Sequence, residues 1–210
     1  MNLFDETSQK QISIRLESIG GLGANLIGNL LGEMAVSFFH LNASSFASYG
    51  SEKRGSLVRS HIRICSKHEE IKENTPILNP DILVLFHPIL LRNPQVLQGI
   101  NEKTILIVNA SDEVVKDISV RSKKILSVDA TSIALNTNGK INMVMLAAIF
   151  KALEIDKEFG KDLITETLGK KSPALLQGNL ETFEAGYDKV KIQDGKLDGK
   201  VYSSNPQQLG

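Results

Sequence analysis

The sequence predicts a three-layer α/β/α domain with a mostly parallel or mixed central sheet and a helical C-terminal part. Three observations predict it. Residues 12–18 alternate, with Ile12, Ile14 and Leu16 against Ser13, Arg15 and Glu17, then pass through a glycine turn into a helical pattern. Residues 82–86 and 105–108 are continuous apolar runs, as in strands covered on both faces. From residue 141 onward only helical periodicity remains, over 141–153, 158–168 and 174–190. Strands alternating with helices and closing on helices imply layered α/β architecture.

The individual elements follow from local signals. The first helix runs from Ala24 to about Phe39, with Leu26, Ile27, Leu30, Leu31, Met34 and Ala35 at helical spacing. Residues 40–48 read as a second strand, ending near Phe46 and Ala47. Residues 49–56 form a polar loop between glycines. Residues 57–65 alternate again, with Val58, Ser60, Ile62 and Ile64 on one face and Arg59, His61, Arg63 and Cys65 on the other. Asn79-Pro80 leads into the strand at 81–86, and helical material is expected over 89–97. Strands at 104–108 and 124–128, a helix over 130–135 and a break at Asn136-Thr137-Asn138-Gly139 complete the alternating part. Pro173 sits where a helix tolerates proline, in its first turn. The expected organisation is a flexible N-terminus over 1–11, one domain over 12–190 and a polar tail over 191–210.

Composition excludes several classes of function. The chain has 210 residues, long enough to bury a core without disulfide staples. Its 24 basic and 24 acidic side chains cancel, so no basic excess points to nucleic acid. Tryptophan is absent and aromatics make up 5%, which leaves no stacking platform for single strands. No apolar run approaches the length needed to span a bilayer, and residues 1–11 lack the basic flank and apolar run of a signal peptide. A single cysteine, Cys65, allows no internal disulfide and fits a reducing cytoplasm. It also cannot hold an iron–sulfur cluster, which needs several thiolates. The histidines at 40, 61, 68 and 87 have no metal-ligand spacing.

The turn Ser18-Ile19-Gly20-Gly21-Leu22-Gly23 carries the most chemistry. Backbone N–H groups at a glycine turn and helix start favour anions. Two readings stand: a structural tight turn, or a contact to an anion or cofactor through Gly20, Gly21 and Gly23. The dinucleotide fingerprint is not met, since its first glycine is absent and His40 and Asn42 occupy the region where its acid belongs.

Taken together, several segments resemble the gamma subunit of 2-oxoacid:ferredoxin oxidoreductases. The glycine turn is similar to that family's Gly-x-Gly-Gly-Gln-Gly opening. The loop Tyr49-Gly50-Ser51-Glu52-Lys53-Arg54-Gly55-Ser56 resembles its second signature. Asn79-Pro80-Asp81-Ile82-Leu83-Val84 resembles its Pro-Asp strand, Asn142-Met143-Val144 its Asn-Met helix opening, and Asn179 through Phe183 to Tyr187 its closing helix. The matches keep family order over about 12–190, and Glu52-Lys53-Arg54-Gly55 followed by Val58 is nearest the pyruvate type. Two departures stand out: Ser18 replaces the first glycine and Leu22 the glutamine, whose hydrogen bonds leucine cannot make.

The resemblance implies oxidative decarboxylation of a 2-oxoacid by a complex using thiamine diphosphate, Mg²⁺, iron–sulfur clusters and coenzyme A. It implies alpha, beta and ferredoxin-like delta partners and a ferredoxin or flavodoxin acceptor, with no catalytic residue and no cofactor assigned firmly to this chain. The thiamine motif is missing, and Asn109 and Asn142 lack its context. The site residues implied are Gly20, Gly21, Gly23, Lys53, Arg54 and Gly55, where Arg54 and Lys53 would meet a phosphate or a partner carboxylate. The bland alternative for that loop is a solvated turn. A divergent scaffold, a stand-alone nucleotide-binding protein and a homo-oligomer of the isolated chain stay open. His61 with Arg59 and Arg63 reads as a solvated face or an electropositive stripe, Cys65 as a small buried hydrophobe, and His87 and Asn109 as minor candidates at strand ends.

Overall fold

The computed structural model describes residues 11–50, 56–116, 118–170, 173–196 and 199–200. One seven-stranded sheet organises them, in the order β2-β3-β1-β4-β5-β6-β7. The strands are β1 (Gln11–Ile19), β2 (Asn42–Tyr49), β3 (Leu57–Cys65), β4 (Ile82–Leu85), β5 (Ile105–Asn109), β6 (Lys124–Val128) and β7 (Lys191–Asp194). The helices are α1 (Ala24–Ser37), α2 (Asp112–Lys116), α3 (Ala130–Asn136), α4 (Ile141–Ala152), α5 (Lys157–Ile164) and α6 (Pro173–Lys189).

The centre of the sheet is parallel: β1 pairs with β4, β4 with β5 and β5 with β6. Its flanks are antiparallel, through the β2–β3 hairpin beside β1 and through β7 beside β6. This is the mixed alternative of the expected sheet. The alternation of β1 puts Ile12, Ile14 and Leu16 on the face covered by α1, α4, α5 and α6. Helix α4 lies between the sheet and α6 with Met143 through Phe150 buried, so its apolar character extends all round. The opposite face, from Leu83, Leu85, Leu106 and Val108, is covered by a thinner layer of short turns, α2 and coil, through Leu90, Val96, Leu97 and Ile118.

Three local readings differ from the sequence expectation. The helical run expected over 89–97 is one 3-10 turn, Pro88–Arg92. Pro94 disfavours helical geometry at Asn93, which is extended (φ −100°, ψ 108°), so the chain leaves the helix there. The expected polar tail begins instead with β7, held by antiparallel pairing of Lys191 with Ser127 and Asp194 with Lys124. Gln11, expected in a flexible start, opens β1 opposite Cys65. Residues 1–10 and 201–210, the remainder of those two segments, lie outside the described residues.

Candidate functional site at the glycine turn

The carboxyl ends of the parallel strands gather most of the residues singled out by sequence. In open α/β sheets ligands bind at this edge. The turn after β1 needs its glycines: Gly21 (φ 95°) and Gly23 (φ 83°) adopt left-handed backbone that favours glycine. A Cβ on Gly23 would also collide with the side-chain amide of Asn142, which opens α4. Gly23 caps the 14-residue helix α1 without a side-chain hydrogen bond, and the first turn of α1 holds no acid. Its leading N–H groups and positive dipole end therefore meet no competing carboxylate.

The second loop is tied to the same turn. The N–H of Gly20 donates to the Ser56 carbonyl at 3.0 Å, and Gly50 donates to Leu57 at 2.8 Å. The resulting recess, of about 320 Å³, is lined by Gly20, Gly21, Gly23, Asn25, Tyr49 and Ser56. So the structure brings the glycine turn, the ends of the 49–56 loop and Asn142 together. Lys53, Arg54 and Gly55 lie outside the described residues. The two departures from the resembled pattern have distinct fates. Ser18 is buried and its hydroxyl donates to the neighbouring Ile19 carbonyl at 3.0 Å. Leu22 packs half-buried against the helix layer and lines an adjoining cavity of about 270 Å³ with Leu135 and Ile141.

Other candidates prove to be braces. Asp81 accepts from the Ser13 N–H (2.8 Å) and hydroxyl (2.7 Å), locking β4 to β1 at the opposite end of the sheet. Asn109 donates to the Phe86 carbonyl (3.0 Å) and accepts from the Ala130 N–H (3.0 Å), stapling β4, β5 and α3. His87 Nδ1 accepts from the Ile89 N–H at 3.2 Å and so caps its own turn. Cys65 is buried as expected, and its thiol donates to the Glu69 carbonyl at 3.3 Å. Burial and the nearby Glu69 charge push that thiol up, away from a reactive thiolate.

The face carrying Arg59, His61 and Arg63 corrects the solvated and electropositive-stripe readings, because His61 and Arg63 are buried and Arg59 is only partly exposed. Segments 77–78 and 95–98 cover it. Arg15, 4% exposed, donates to the carbonyls of Ile77, Leu78, Val96 and Gln98 at 2.7–3.0 Å. Glu17, fully buried, lies 3.1 Å from Arg15 Nε and 2.9 Å from Arg59 Nε. Burial pushes Glu17 up to about 7, against the pull of Arg59 and Arg15. His61 Nδ1 accepts from the Ile77 N–H at 3.1 Å, leaving Nε2 to donate toward the Ser48 hydroxyl at 3.3 Å. Burial and three arginines (15, 59 and 63) hold it down at about 4, so it is neutral. The alternation of β1 already put Arg15 and Glu17 on one face, and only the covering segments were invisible in sequence.

A mixed seven-stranded sheet layered with helices, with a glycine turn at the carboxyl edge of its parallel strands, defines a layered α/β protein with a candidate anion contact. The chain belongs to the pyruvate ferredoxin/flavodoxin oxidoreductase family, whose model matches residues 13–189. Within that family it is a gamma-type subunit. It is 36% identical to the common gamma subunit of the pyruvate/ketoisovalerate oxidoreductases of Pyrococcus abyssi, over 86% of this chain and 98% of that one. It is 29% identical to the pyruvate synthase subunit PorC of Methanothermobacter marburgensis, over 86% and 98%. The crystal structure of the pyruvate oxidoreductase subunit PORC from Thermotoga maritima superposes with a TM-score of 0.72 at 28% identity, covering 89% of this chain and all of that one.

Proposed function

We propose that this gamma-type subunit serves a pyruvate-oxidising complex and contributes the glycine turn as a phosphate contact for coenzyme A. One observation carries the contact. Two left-handed glycines lead into a 14-residue helix with neither a side-chain cap nor an acid in its first turn, at the carboxyl edge of a parallel sheet. Such a helix start attracts phosphate. Gly21 has open space where a Cβ would stand, so a ligand can approach its backbone closely. Lys53 and Arg54, on the loop whose ends hydrogen-bond beside the turn, supply the cations in this reading.

We assign the remaining cofactors to other subunits. A lone buried cysteine does not fit a cluster. Among the described residues no three His, Cys, Asp or Glu side chains converge to hold a metal ion. In this reading thiamine diphosphate with Mg²⁺ and the clusters are assigned to alpha, beta and ferredoxin-like delta chains, with ferredoxin or flavodoxin as acceptor, as the family resemblance implies. No helix among the described residues is long and apolar enough to cross a membrane. The cytoplasmic placement rests on the lone cysteine, which fits a reducing compartment.

The test uses the assembled complex under anaerobic conditions, reading CoA-dependent, pyruvate-driven reduction of a viologen dye. Asn25→Asp places a carboxylate at the recess and in the first turn of α1. The expected result is a severalfold higher KM for coenzyme A, an unchanged KM for pyruvate and a slightly more stable chain, because the acid suits the helix dipole. An unchanged KM for coenzyme A removes the contact. A complex that prefers another 2-oxoacid removes the pyruvate assignment.

A further inference from the structure

A further concavity lies on the thin-layer side of the sheet. It has a volume of about 480 Å³ and runs between the 3-10 turn after β4 and the segment after α2. Pro88, Leu91, Ile118 and Val120 form an apolar floor. Ile89 and Val114 stand at its lips, 47% and 36% exposed, with their apolar surface unpartnered in the described fold.

Among the described lining residues the charged groups are Arg92 and Lys200, with His87 beside them and no carboxylate. In a chain whose charges cancel overall, the described lining residues thus carry charge of one sign. The larger cavity at the ends of β5 and β6 is different: Asp112, Glu113, Asp129 and Asp188 share it with Lys189 and Lys191, and Lys191 already pairs with Asp112. Lys200 is also held in place, since its N–H donates to the Ser119 carbonyl and its carbonyl accepts from Arg121, both at 3.1 Å.

We propose that this groove docks a segment of a neighbouring subunit, an apolar side chain flanked by carboxylates; the proposal rests on the subunit reading. The floor takes the apolar anchor, and Arg92 and Lys200 meet the acids from the rim. Exposed apolar lips around a desolvating pocket are the anatomy of an interface anchor site. A small polar ligand is the poorer fit: among the described lining residues Ser119 carries the one hydroxyl, and His87 Nδ1 is already engaged by Ile89. Charge complementarity at the rim would speed association and select the partner.

The experiment co-expresses the chain with the other subunits of its complex and measures their recovery on a tag carried by this chain. Arg92→Glu and Ile89→Asp are compared with Arg92→Lys, and each isolated variant is melted to confirm folding. A photocrosslinking residue replaces Ser119. The expected result is at least tenfold lower partner recovery for R92E and I89D, near-wild-type recovery for R92K, unchanged melting temperatures, and a crosslink into an acidic segment of another subunit. Wild-type recovery by both R92E and I89D, or a crosslink into a segment without carboxylates, overturns the groove proposal and leaves the subunit reading standing. A wild-type chain that recovers no partner overturns the subunit reading and the groove proposal with it.

Discussion

Glu17 and His61 sit on the same buried face and titrate with opposite consequences. Glu17 is raised from 4.5 to about 7, so the folded chain holds a proton that the unfolded chain has released between those values. Its contribution to stability is complete below 4.5 and is lost as pH rises through 7. His61 is lowered from 6.5 to about 4, so the unfolded chain takes up a proton that the folded chain refuses. Its contribution is complete above 6.5 and is lost as pH falls through 4. Between 4.5 and 6.5 the two slopes oppose each other, each at most about 1.4 kcal/mol per pH unit for one proton. The expected outcome is a nearly flat contribution from this pair in the wild type. His61→Gln should then leave stability falling as pH rises toward 7, and Glu17→Gln should leave it rising from pH 4 to 6.5. Urea titrations at four pH values check both, and parallel curves for all three chains would refute the opposing pair.

The junction of β1, α1 and α4 depends on one glycine. Gly23 combines a φ of 83° with a side-chain neighbour, Asn142, where its Cβ would be. Gly23→Ala should destabilise the chain by about 1–3 kcal/mol, from left-handed strain plus collision. Asn142→Ala removes the collision and leaves the strain, so the double variant should be more stable than the sum of the single changes predicts. Additive effects in chemical denaturation would show that the two helices are not coupled through this contact. The turn itself was legible in the sequence, because glycines between an alternating strand and a helical pattern have few other uses. Its partner was not, since Asn142 lies more than a hundred residues away and only the packing of α4 beneath α1 brings it near. Elements failed to be legible where local chemistry is weak. Strand β7 has four exposed residues and no apolar run, so tertiary pairing with β6 alone makes it a strand. The 3-10 turn at Pro88–Arg92 carries a good apolar pattern, but Pro94 stops it from continuing as a helix.

The proposed division gives this chain a surface and a turn and leaves redox chemistry to other subunits, and Cys65 is the sharpest place to test it. The chain has one thiol; it is 1% exposed, bonded to the Glu69 carbonyl and pushed up from its usual pKa. A thiol in that setting is a packing group, because cluster ligation needs a reachable thiolate and further thiolates beside it. Sequence counting had already reached this conclusion, and the structure adds a physical reason: the thiol is buried at the end of β3, between Gln11 and Asn42, and donates to the Glu69 carbonyl. Cys65→Ala deletes one buried sulfur at the end of β3 and should cost about 1 kcal/mol of stability. In the assembled complex its iron content, its electron paramagnetic resonance signals and its rate of viologen reduction should match wild type. Loss of iron, or a shifted cluster signal at unchanged stoichiometry of the subunits, would mean that this chain reaches a cluster after all. Lower iron accompanied by loss of subunits would instead trace to a weakened fold. Melting the isolated variant separates that case, since a 210-residue domain carrying a 1 kcal/mol defect should shift by only about 2–4 °C.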